Sequence, residues 1–248
     1  MKLAKIYNTL DEISPFELQE SWDNSGLLVG SMDQEVSQVV LTLDVTSELV
    51  AKHEPNTLFI AHHPLIFGKL KALDFAKYPA NVIRQMVLKG QSMVAMHTNV
   101  DKTHLNSYVF TQVLGLHAKV QEEFMIQSAQ SMSKEQLYAL LQDRLGLSKF
   151  RVINEKDKIE GIALTTGSGS SMMDMCGVDC FLTGDLKYHE AIKADEQDLM
   201  VVDIGHFESE KFFADALVQD LKKLDISVII SNSKNPFTHV DQANDEKK

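Results

Sequence analysis

Histidines and carboxylates that could bind metal ions occur in three short stretches of this sequence. The stretches are residues 59–64 (FIAHHP), 96–101 (MHTNVD) and 203–210 (DIGHFESE). Imidazole nitrogens and carboxylate oxygens together form the ligand sets of Zn, Mn, Fe or Co sites. We therefore expect the stretches to converge in space and to hold two divalent metal ions of one of these kinds. The candidate ligands are His62, His63, His97, Asp101, His206 and Glu210.

The spacing within two of the stretches bears on whether their side chains share an ion. His206 and Glu210 are four residues apart, which places them on one face if the segment is helical. The alternative is a histidine at a helix start and a solvated glutamate. His97 and Asp101 are also four apart, but residues 98–99 read as a loop, so Asp101 could instead cap the following helix.

The adjacent pair His62 and His63 indicates two ions rather than one. Neighbouring side chains alternate sides in a regular strand, but before Pro64 the two imidazoles can splay towards different ions. Two ions a few ångströms apart suit hydrolysis, because each polarises a substrate oxygen and a bridging water loses a proton near neutral pH. A histidine pair by itself is weak evidence, since such pairs are usually surface or core residues.

Strands and helices alternate around these residues. Apolar, β-branched runs predict strands, and apolar residues at helical spacing predict helices. Short strand–helix–strand units are typical of an α/β fold with parallel sheets, in which ligands bind at the carboxyl ends of the strands. His62, His97 and His206 each follow a predicted strand. The main predicted strands are 38–45, 57–61, 92–96, 178–182, 199–204 and 226–230, and the main predicted helices are 3–13, 47–53, 80–89, 105–114, 133–145 and 207–221.

Composition restricts the classes of function. The chain of 248 residues is 44% hydrophobic and has a formal net charge of −11. It can therefore bury a sizeable core, while broad nucleic-acid or membrane-surface binding is disfavoured. No apolar run approaches the roughly 20 residues of a membrane span. The two cysteines, Cys176 and Cys180, are expected to be buried thiols in a reducing cytoplasm.

Several segments together resemble one known family. The sequence is similar to the NIF-three-like dinuclear metal centre family, which includes proteins named GTP cyclohydrolase I type 2 homologues. The resemblance covers nearly the whole chain, in its short form without a middle insertion. The matching segments are 21–30 (SWDNSGLLVG), 61–64 (AHHP), 97–101 (HTNVD), 183–185 (TGD) with His189, and Gly205-His206 with Ser209-Glu210.

This resemblance implies a fold, an assembly and a set of ligands. The implied fold is α/β, with two interleaved lobes and mostly parallel sheets. We expect lobe one at about 1–120 plus 199–233, lobe two at about 121–198, and a polar tail at 234–248. The implied assembly is a toroidal homohexamer. The implied metal ligands are His62, His63, Asp101, His206 and Glu210, with His97 either a ligand or a residue that shapes the site.

Two functions are compatible with these features. The first is a metal-dependent hydrolase acting on a small nucleotide-like or phosphorylated substrate. His189 could then act as a general acid or base, although a surface histidine is the alternative. The second is a non-enzymatic adaptor or metal-handling protein. Residues 167–169 (GSG) lack the GxxxxGK[ST] phosphate-binding pattern and read as a turn.

Overall fold

Helices and strands alternate through the computed structural model, which describes residues 1–238. The predicted tail therefore lies partly outside the described residues, from 239 onward. The first elements in chain order are α1 (Leu3–Ile13), β1 (Gly26–Val29), β2 (Gln38–Thr42), α2 (Ser47–Lys52), β3 (Thr57–Ala61), α3 (Ala80–Leu88) and β4 (Ser92–Ala95). Most of these bounds agree with the hydrophobic periodicity to within one to three residues, as expected where burial follows the pattern.

A mixed helical stretch follows β4 and leads into the second half of the chain. It consists of α4 (Thr98–Val100), a π-helical turn (Asp101–Leu105), α5 (Asn106–Tyr108) and a second π-helical turn (Val109–Val113). The later elements are β5 (Val120–Glu122), β6 (Met125–Ser128), β7 (Met132–Ser133), α6 (Lys134–Leu145), β8 (Arg151–Ile153), β9 (Lys158–Ile159), β10 (Ile162–Leu164), β11 (Cys180–Thr183), α7 (Tyr188–Glu196), β12 (Met200–Asp203), α8 (His206–Glu210), α9 (Phe213–Leu221) and β13 (Ser227–Ile230).

Two large sheets carry the fold. The first has the order β1-β4-β3-β2-β13 and is parallel except for β1. The second has the order β5-β6-β10-β11-β12-β8 and is parallel only across its centre, from β10 to β12. The predicted α/β class is confirmed. Strands β7 and β9 form a separate small pair.

The predicted boundary between the lobes is wrong at residue 199. We expected residues 199–233 to belong to the first lobe, but β12 pairs with β11 and β8 in the second sheet. The reason is the helix α7, which allows the chain to cross over and place β12 beside β11 in parallel. The chain returns to the first sheet only with β13, which pairs with β2.

One hydrophobic core joins the facing sides of the two sheets. Alternate residues of each central strand enter it, including Leu58 and Ile60 of β3, whereas Phe59 packs on the opposite face with residues of α2 and α3. The same alternation separates Leu182 from Phe181 in β11. Residues of α1, α6, α9 and the stretch 98–113 fill the shared core. The two strand layers are therefore held in a fixed relation by continuous packing.

Three local differences from the sequence predictions concern helices and thiols. The helical stretch begins at Thr98 rather than at 105, so Asp101 lies inside it and does not cap it. The single helix predicted over 207–221 is divided into α8 and α9. Both cysteines are free, but only Cys180 is buried, while Cys176 is partly exposed. Within residues 1–238, no helix has the length and apolar character needed to span a bilayer.

Candidate metal centre

The predicted ligands meet where strand ends of the two sheets face each other. His62 and His63 directly follow β3, and His97 follows the neighbouring parallel strand β4. His206 begins α8, shortly after β12 of the second sheet. Within the described residues, three groups of side chains bring their ligand atoms within 4.8 Å of one another: His62, His63 and His97; His63, His206 and Glu210; and His62, Asp101 and Glu210.

The buried half of this centre consists of His62, Asp101 and the Oε1 atom of Glu210. His62 is fully buried, and its Nδ1 donates to the carbonyl oxygen of Met96 at 3.0 Å. Its Nε2 therefore faces the carboxylates as a lone-pair donor. Neither this Nε2 nor Asp101 Oδ1 has a hydrogen-bond partner among the described residues. Buried polar atoms without partners are rare and need an explanation.

The spacing within the buried half fits a shared cation. His62 Nε2 lies 3.5 Å from Asp101 Oδ1 and 3.6 Å from Glu210 Oε1. Two ligand atoms that each lie about 2.1 Å from one tetrahedral ion are about 3.4 Å apart. The observed distances are too long for good hydrogen bonds but match this ligand spacing. The unpartnered atoms and the donor types together make the residues suitable for a divalent ion.

The exposed half consists of His63, His206 and the Oε2 atom of Glu210. Glu210 Oε2 lies 2.9 Å from His63 Nε2 and 2.8 Å from His206 Nε2. The two imidazole nitrogens are themselves 3.2 Å apart. The side chains of His63 and His206 are 26% and 33% exposed, respectively. The polar atoms of these three groups therefore lie within hydrogen-bond distance of one another, unlike those of the buried half.

Short helices place the carboxylates. Glu210 is one turn after His206 in α8, which confirms that the two side chains share a helix face. Asp101 opens a π-helical turn, and its backbone N–H donates to the carbonyl oxygen of His97 at 3.1 Å. The extra residue of a π turn re-aims side chains, and such turns are frequent at functional sites.

Each imidazole is oriented through its Nδ1 atom. The Nδ1 atoms of His63, His97 and His206 each lie 2.7 Å from a carboxylate oxygen. This arrangement is usual for metal ligands, because it fixes the ring and raises the basicity of Nε2. The carboxylates are Asp44 for His63, Asp23 for His97 and Asp185 for His206.

Sequence reasoning missed these three aspartates as anchors. Asp23 and Asp185 stand within segments that carry the family resemblance, and Asp44 follows β2, the strand beside β3. Their positions at strand ends or in turns near the site were the available signal. What the sequence could not supply was the pairing of each carboxylate with a particular imidazole, since that depends on strand order.

Burial and neighbouring charge shift the pKa values of the imidazoles in opposite directions. Burial lowers the pKa of His62 to about 4, although Glu210 opposes this change. Burial alone would also lower the pKa of His63, but its carboxylate partners raise it to about 10. Burial would likewise lower the pKa of His206, but Glu210 and Asp185 raise it to about 9. The buried imidazole is therefore neutral at pH 7, and the two exposed ones carry protons in this arrangement.

The pKa values of the two buried carboxyl groups, Asp101 and Glu210, also shift in opposite directions. Burial and the neighbouring charge of Glu210 raise the pKa of Asp101 well above its ordinary value. Burial would raise the pKa of Glu210 as well, but the surrounding histidines hold it well below its ordinary value. Close carboxylates repel each other, so one of them retains a proton unless a cation is present.

The turn that follows β10 packs closely against Glu210. Gly167 has a φ of +63°, and a Cβ atom built there would lie 2.0 Å from Glu210 Oε1. Its backbone N–H donates to Ser209 Oγ at 3.0 Å. The glycine is therefore required by both backbone conformation and space. This explains the GSG segment as a turn against the metal centre, in agreement with the sequence interpretation.

The structure does not bring His189 to this cluster. It lies exposed on α7, where its ring is 5.4 Å from that of Tyr188, and it belongs to none of the three ligand groups. Its role as a general acid or base stays a prediction. The ring of Trp22 is exposed, and its centroid lies 6.2 Å from that of His97.

Comparison with known proteins identifies the family of this chain. The family model described as Duf34/NIF3 (NGG1p interacting factor 3) matches residues 1–236. The chain belongs to the Duf34/NIF3 family. A Campylobacter jejuni relative named GTP cyclohydrolase 1 type 2 homolog is 45% identical over 240 residues, covering 96% of this chain and all of the relative. A Helicobacter pylori relative named GTP cyclohydrolase 1 type 2 is 37% identical over 96% of this chain and 99% of its own length.

Solved structures show the same Duf34/NIF3 fold. A Staphylococcus aureus hypothetical protein matches with a TM-score of 0.85 at 27% identity, over 97% of this chain and 99% of that chain. A Bacillus cereus protein related to NIF3 matches with a TM-score of 0.81 at 20% identity, over 97% of this chain and 99% of that chain. The predicted family resemblance and the predicted fold are confirmed.

Proposed function

We propose that this protein is a dinuclear metal-dependent hydrolase that acts on a small nucleotide-like or phosphorylated molecule. The observation that carries the proposal is the placement of Glu210 between two ligand groups. Its Oε1 faces His62 in the buried half, and its Oε2 faces His63 and His206 in the exposed half. A carboxylate with one oxygen in each group is the bridging element that a two-ion centre needs.

The protein residues would divide between the ions as follows. His62, Asp101 and Glu210 Oε1 would hold one ion, while His63, His206 and Glu210 Oε2 would hold the other. Three protein ligands for each ion leave positions open, as a catalytic site requires. Two such ions, when bound, stabilise charge on a substrate oxygen and lower the pKa of a water molecule towards neutrality.

His97 has a separate position in this proposal. It shares a ligand group with His62 and His63, and Asp23 fixes its Nδ1. Its Nε2 is then available at the mouth of the centre to bind an ion or to carry a proton to or from a substrate. Asp23 is itself fixed, because its second oxygen accepts from the backbone N–H of Thr98 at 3.1 Å.

A cavity of about 900 Å³ supports a small-molecule substrate. It opens beside His63 and His206, and its volume falls in the range of roughly 300–1,000 Å³ typical of ligand pockets. Arg151 lines it, and the guanidinium is fixed by Asp203 and by the carbonyl oxygen of Leu186. A fixed guanidinium suits recognition of a phosphate or carboxylate group.

A non-enzymatic metal-handling role is the second candidate. The observation that favours it is the exposed half, where His63 and His206 each approach Glu210 Oε2 within 2.9 Å and are themselves partly open to solvent. Such a group could load and release an ion without chemistry. Fast exchange of one ion together with no turnover of any substrate would support this role.

Turnover by metal-loaded protein tests the proposal directly. We would measure hydrolysis of a panel of nucleotides and phosphoesters, including GTP, with Zn, Mn, Fe or Co supplied. We expect activity in the native chain and its loss, together with the loss of the ion of the exposed half, in His63→Ala. His117→Ala is the matched control, since His117 is exposed and belongs to none of the ligand groups. Retention of both metal ions in His63→Ala would contradict the proposal.

Anomalous diffraction at several metal edges would report the identity and number of the ions. We expect two sites, separated by the carboxylate of Glu210. The homohexameric ring and the cytoplasmic location stay predictions from the sequence. Light scattering of the purified protein tests the ring, and fractionation of cells tests the location.

A further inference from the structure

Two large aromatic side chains remain exposed at the mouth of the metal centre. Trp22 is 57% exposed and Phe67 is 53% exposed. Their ring centroids are 5.9 Å apart, and they lie 6.2 Å and 6.1 Å, respectively, from the ring of His97. Exposed apolar clusters beside a functional site are typical of ligand contact, because apolar surface left in water is unfavourable.

The loops beneath these rings are fixed. The side-chain amide of Asn24 donates to the carbonyl oxygen of Ile66 at 2.6 Å, which links the loop of Trp22 to that of Phe67. The adjacent Asp23 is bonded to His97 on one side and to Thr98 on the other. The two rings are therefore presented from a braced backbone, and little conformational entropy is lost when a ligand binds them.

The position of the pair brings a ligand close to the predicted ions. The ring of His97 lies 5.0 Å from that of His62 and 5.8 Å from that of His63. We propose that Trp22 and Phe67 form a stacking site for a planar heteroaromatic ring of the substrate. This inference rests on the proposed function, because it assigns the substrate class of the same centre.

The geometry also limits what this stacking site can select. The planes of Trp22 and Phe67 are inclined by 43°, so a flat ring stacks on one face and contacts the other obliquely. Every heteroaromatic base offers such a face, and stacking alone tolerates different bases. The pair therefore selects for the presence of a flat ring. The cavity lined by Arg151 also borders His63 and His206, and an anionic group of the same molecule could enter it.

Intrinsic fluorescence tests this inference, because Trp22 is the only tryptophan of the sequence. Metal-loaded protein would be titrated with guanosine, adenosine and ribose 5-phosphate while emission excited near the red edge of the tryptophan band is recorded. We expect saturable quenching by both nucleosides, with dissociation constants within about threefold of each other, and no quenching by ribose 5-phosphate.

Substitutions separate stacking from a general effect on the site. Phe67→Ala should weaken nucleoside binding by at least about fivefold, the lower end of the range expected for one aromatic–base stack. Calorimetry should show that Trp22→Phe, which keeps an aromatic face, binds more tightly than Trp22→Ala. Phe75→Ala is the matched control, since Phe75 is a 51% exposed aromatic of the same loop. It should bind like the native chain.

The outcomes distinguish this inference from the proposed function. Saturable nucleoside binding that depends on Phe67, in protein that turns over no substrate, supports the stacking site and removes the hydrolase. Equal binding by Phe67→Ala and Phe75→Ala overturns the stacking site and leaves the hydrolase intact. Emission that responds to protein concentration and not to nucleosides also overturns it, because a second copy would then cover the pair.

Discussion

The buried and exposed halves of the candidate metal centre use the same kinds of residue but differ in spacing and protonation. In the buried half, His62 Nε2 stands 3.5 Å from Asp101 Oδ1, without a hydrogen bond. In the exposed half, Glu210 Oε2 is hydrogen-bonded to His63 at 2.9 Å and lies 2.8 Å from His206. In the buried half the polar atoms are spaced like the ligands of one ion. In the exposed half protons on the imidazoles occupy the contacts with the carboxylate.

This difference teaches that the surroundings, more than the residue types, set how each half meets a cation. Surrounding protein keeps His62 neutral and fixes its spacing, so an ion would enter with little rearrangement. The exposed half must give up its protons and open before an ion can enter. We expect the buried ion to be held more tightly and the exposed ion to exchange with solution.

Loss of the shared carboxylate should have the largest effect on this comparison. Glu210→Gln removes the charge that faces both halves, and we expect both ions to be lost, with affinity reduced by more than about 100-fold. Metal content after dialysis, measured by plasma mass spectrometry, checks this. Glu208→Gln is the control, since that side chain bonds to Asn235 instead. Retention of one ion in Glu210→Gln would show that the halves are independent.

Substitution within one half should remove only its own ion. Asp101→Asn is expected to lose the buried ion and His206→Ala the exposed one, so each variant retains one equivalent of metal. Native mass spectrometry of the two variants gives the stoichiometry directly. Loss of both ions in His206→Ala would mean that the buried half cannot hold an ion alone, and the contrast between the halves would fail.

Lowering the pH should weaken ion binding more in the exposed half than in the buried half of the native chain. In the metal-free state the pKa of His63 is raised to about 10 and that of His206 to about 9, so both are protonated at pH 7. An exposed ion must displace both protons, and its affinity should therefore fall by about 100-fold for each unit of pH lost below 9. The pKa of His62 is lowered to about 4, so it has no proton to release.

Calorimetric titrations at pH 6, 7 and 8 measure this dependence. The exposed ion should show the steeper slope, and the buried ion a shallower one caused by Asp101, whose pKa is raised. Repeating the titrations in buffers of different ionisation enthalpy counts the protons released. Equal slopes for the two ions would contradict the assignment of protonation states.

Removal of an anchoring carboxylate should have the smallest effect. Asp185→Asn keeps the shape of the side chain that fixes His206 Nδ1 but removes its charge. We expect the exposed ion to bind about 10- to 100-fold more weakly, the usual effect of losing such a partner. The buried ion should be unchanged. Competition with a fluorescent chelator measures both affinities, and an equal loss at both sites would contradict this assignment.

Much of the fold and of the grouping of the candidate ligands could be predicted from local patterns. The run TLFIA ends at Ala61, directly before His62, and β3 ends at the same residue in the structure. A strand buried on both faces leaves a continuous apolar run that stops where the ligands begin. The spacing of His206 and Glu210 was equally informative, because four residues correspond to one helical turn.

The remainder depended on contacts that are distant in sequence. Hydrophobicity marks β12 as a buried strand but does not say which sheet it joins, and the predicted lobe boundary failed for that reason. The helical start at Thr98 was missed because residues 98–99 have weak helix propensity, which tertiary packing overrides. The pairing of Asp44 with His63 follows from the adjacency of β2 and β3.

The return of the chain to its first sheet has a consequence for biosynthesis. Glu210 lies 147 residues after His63, and β13, the last strand among residues 1–238, forms an edge of the sheet that contains β3. Chains emerge from the ribosome amino terminus first, so the nascent polypeptide carries its early histidines long before their carboxylate partner exists. A cation site that needs Glu210 would therefore assemble only after the ribosome has passed that residue, long after the first histidines have emerged.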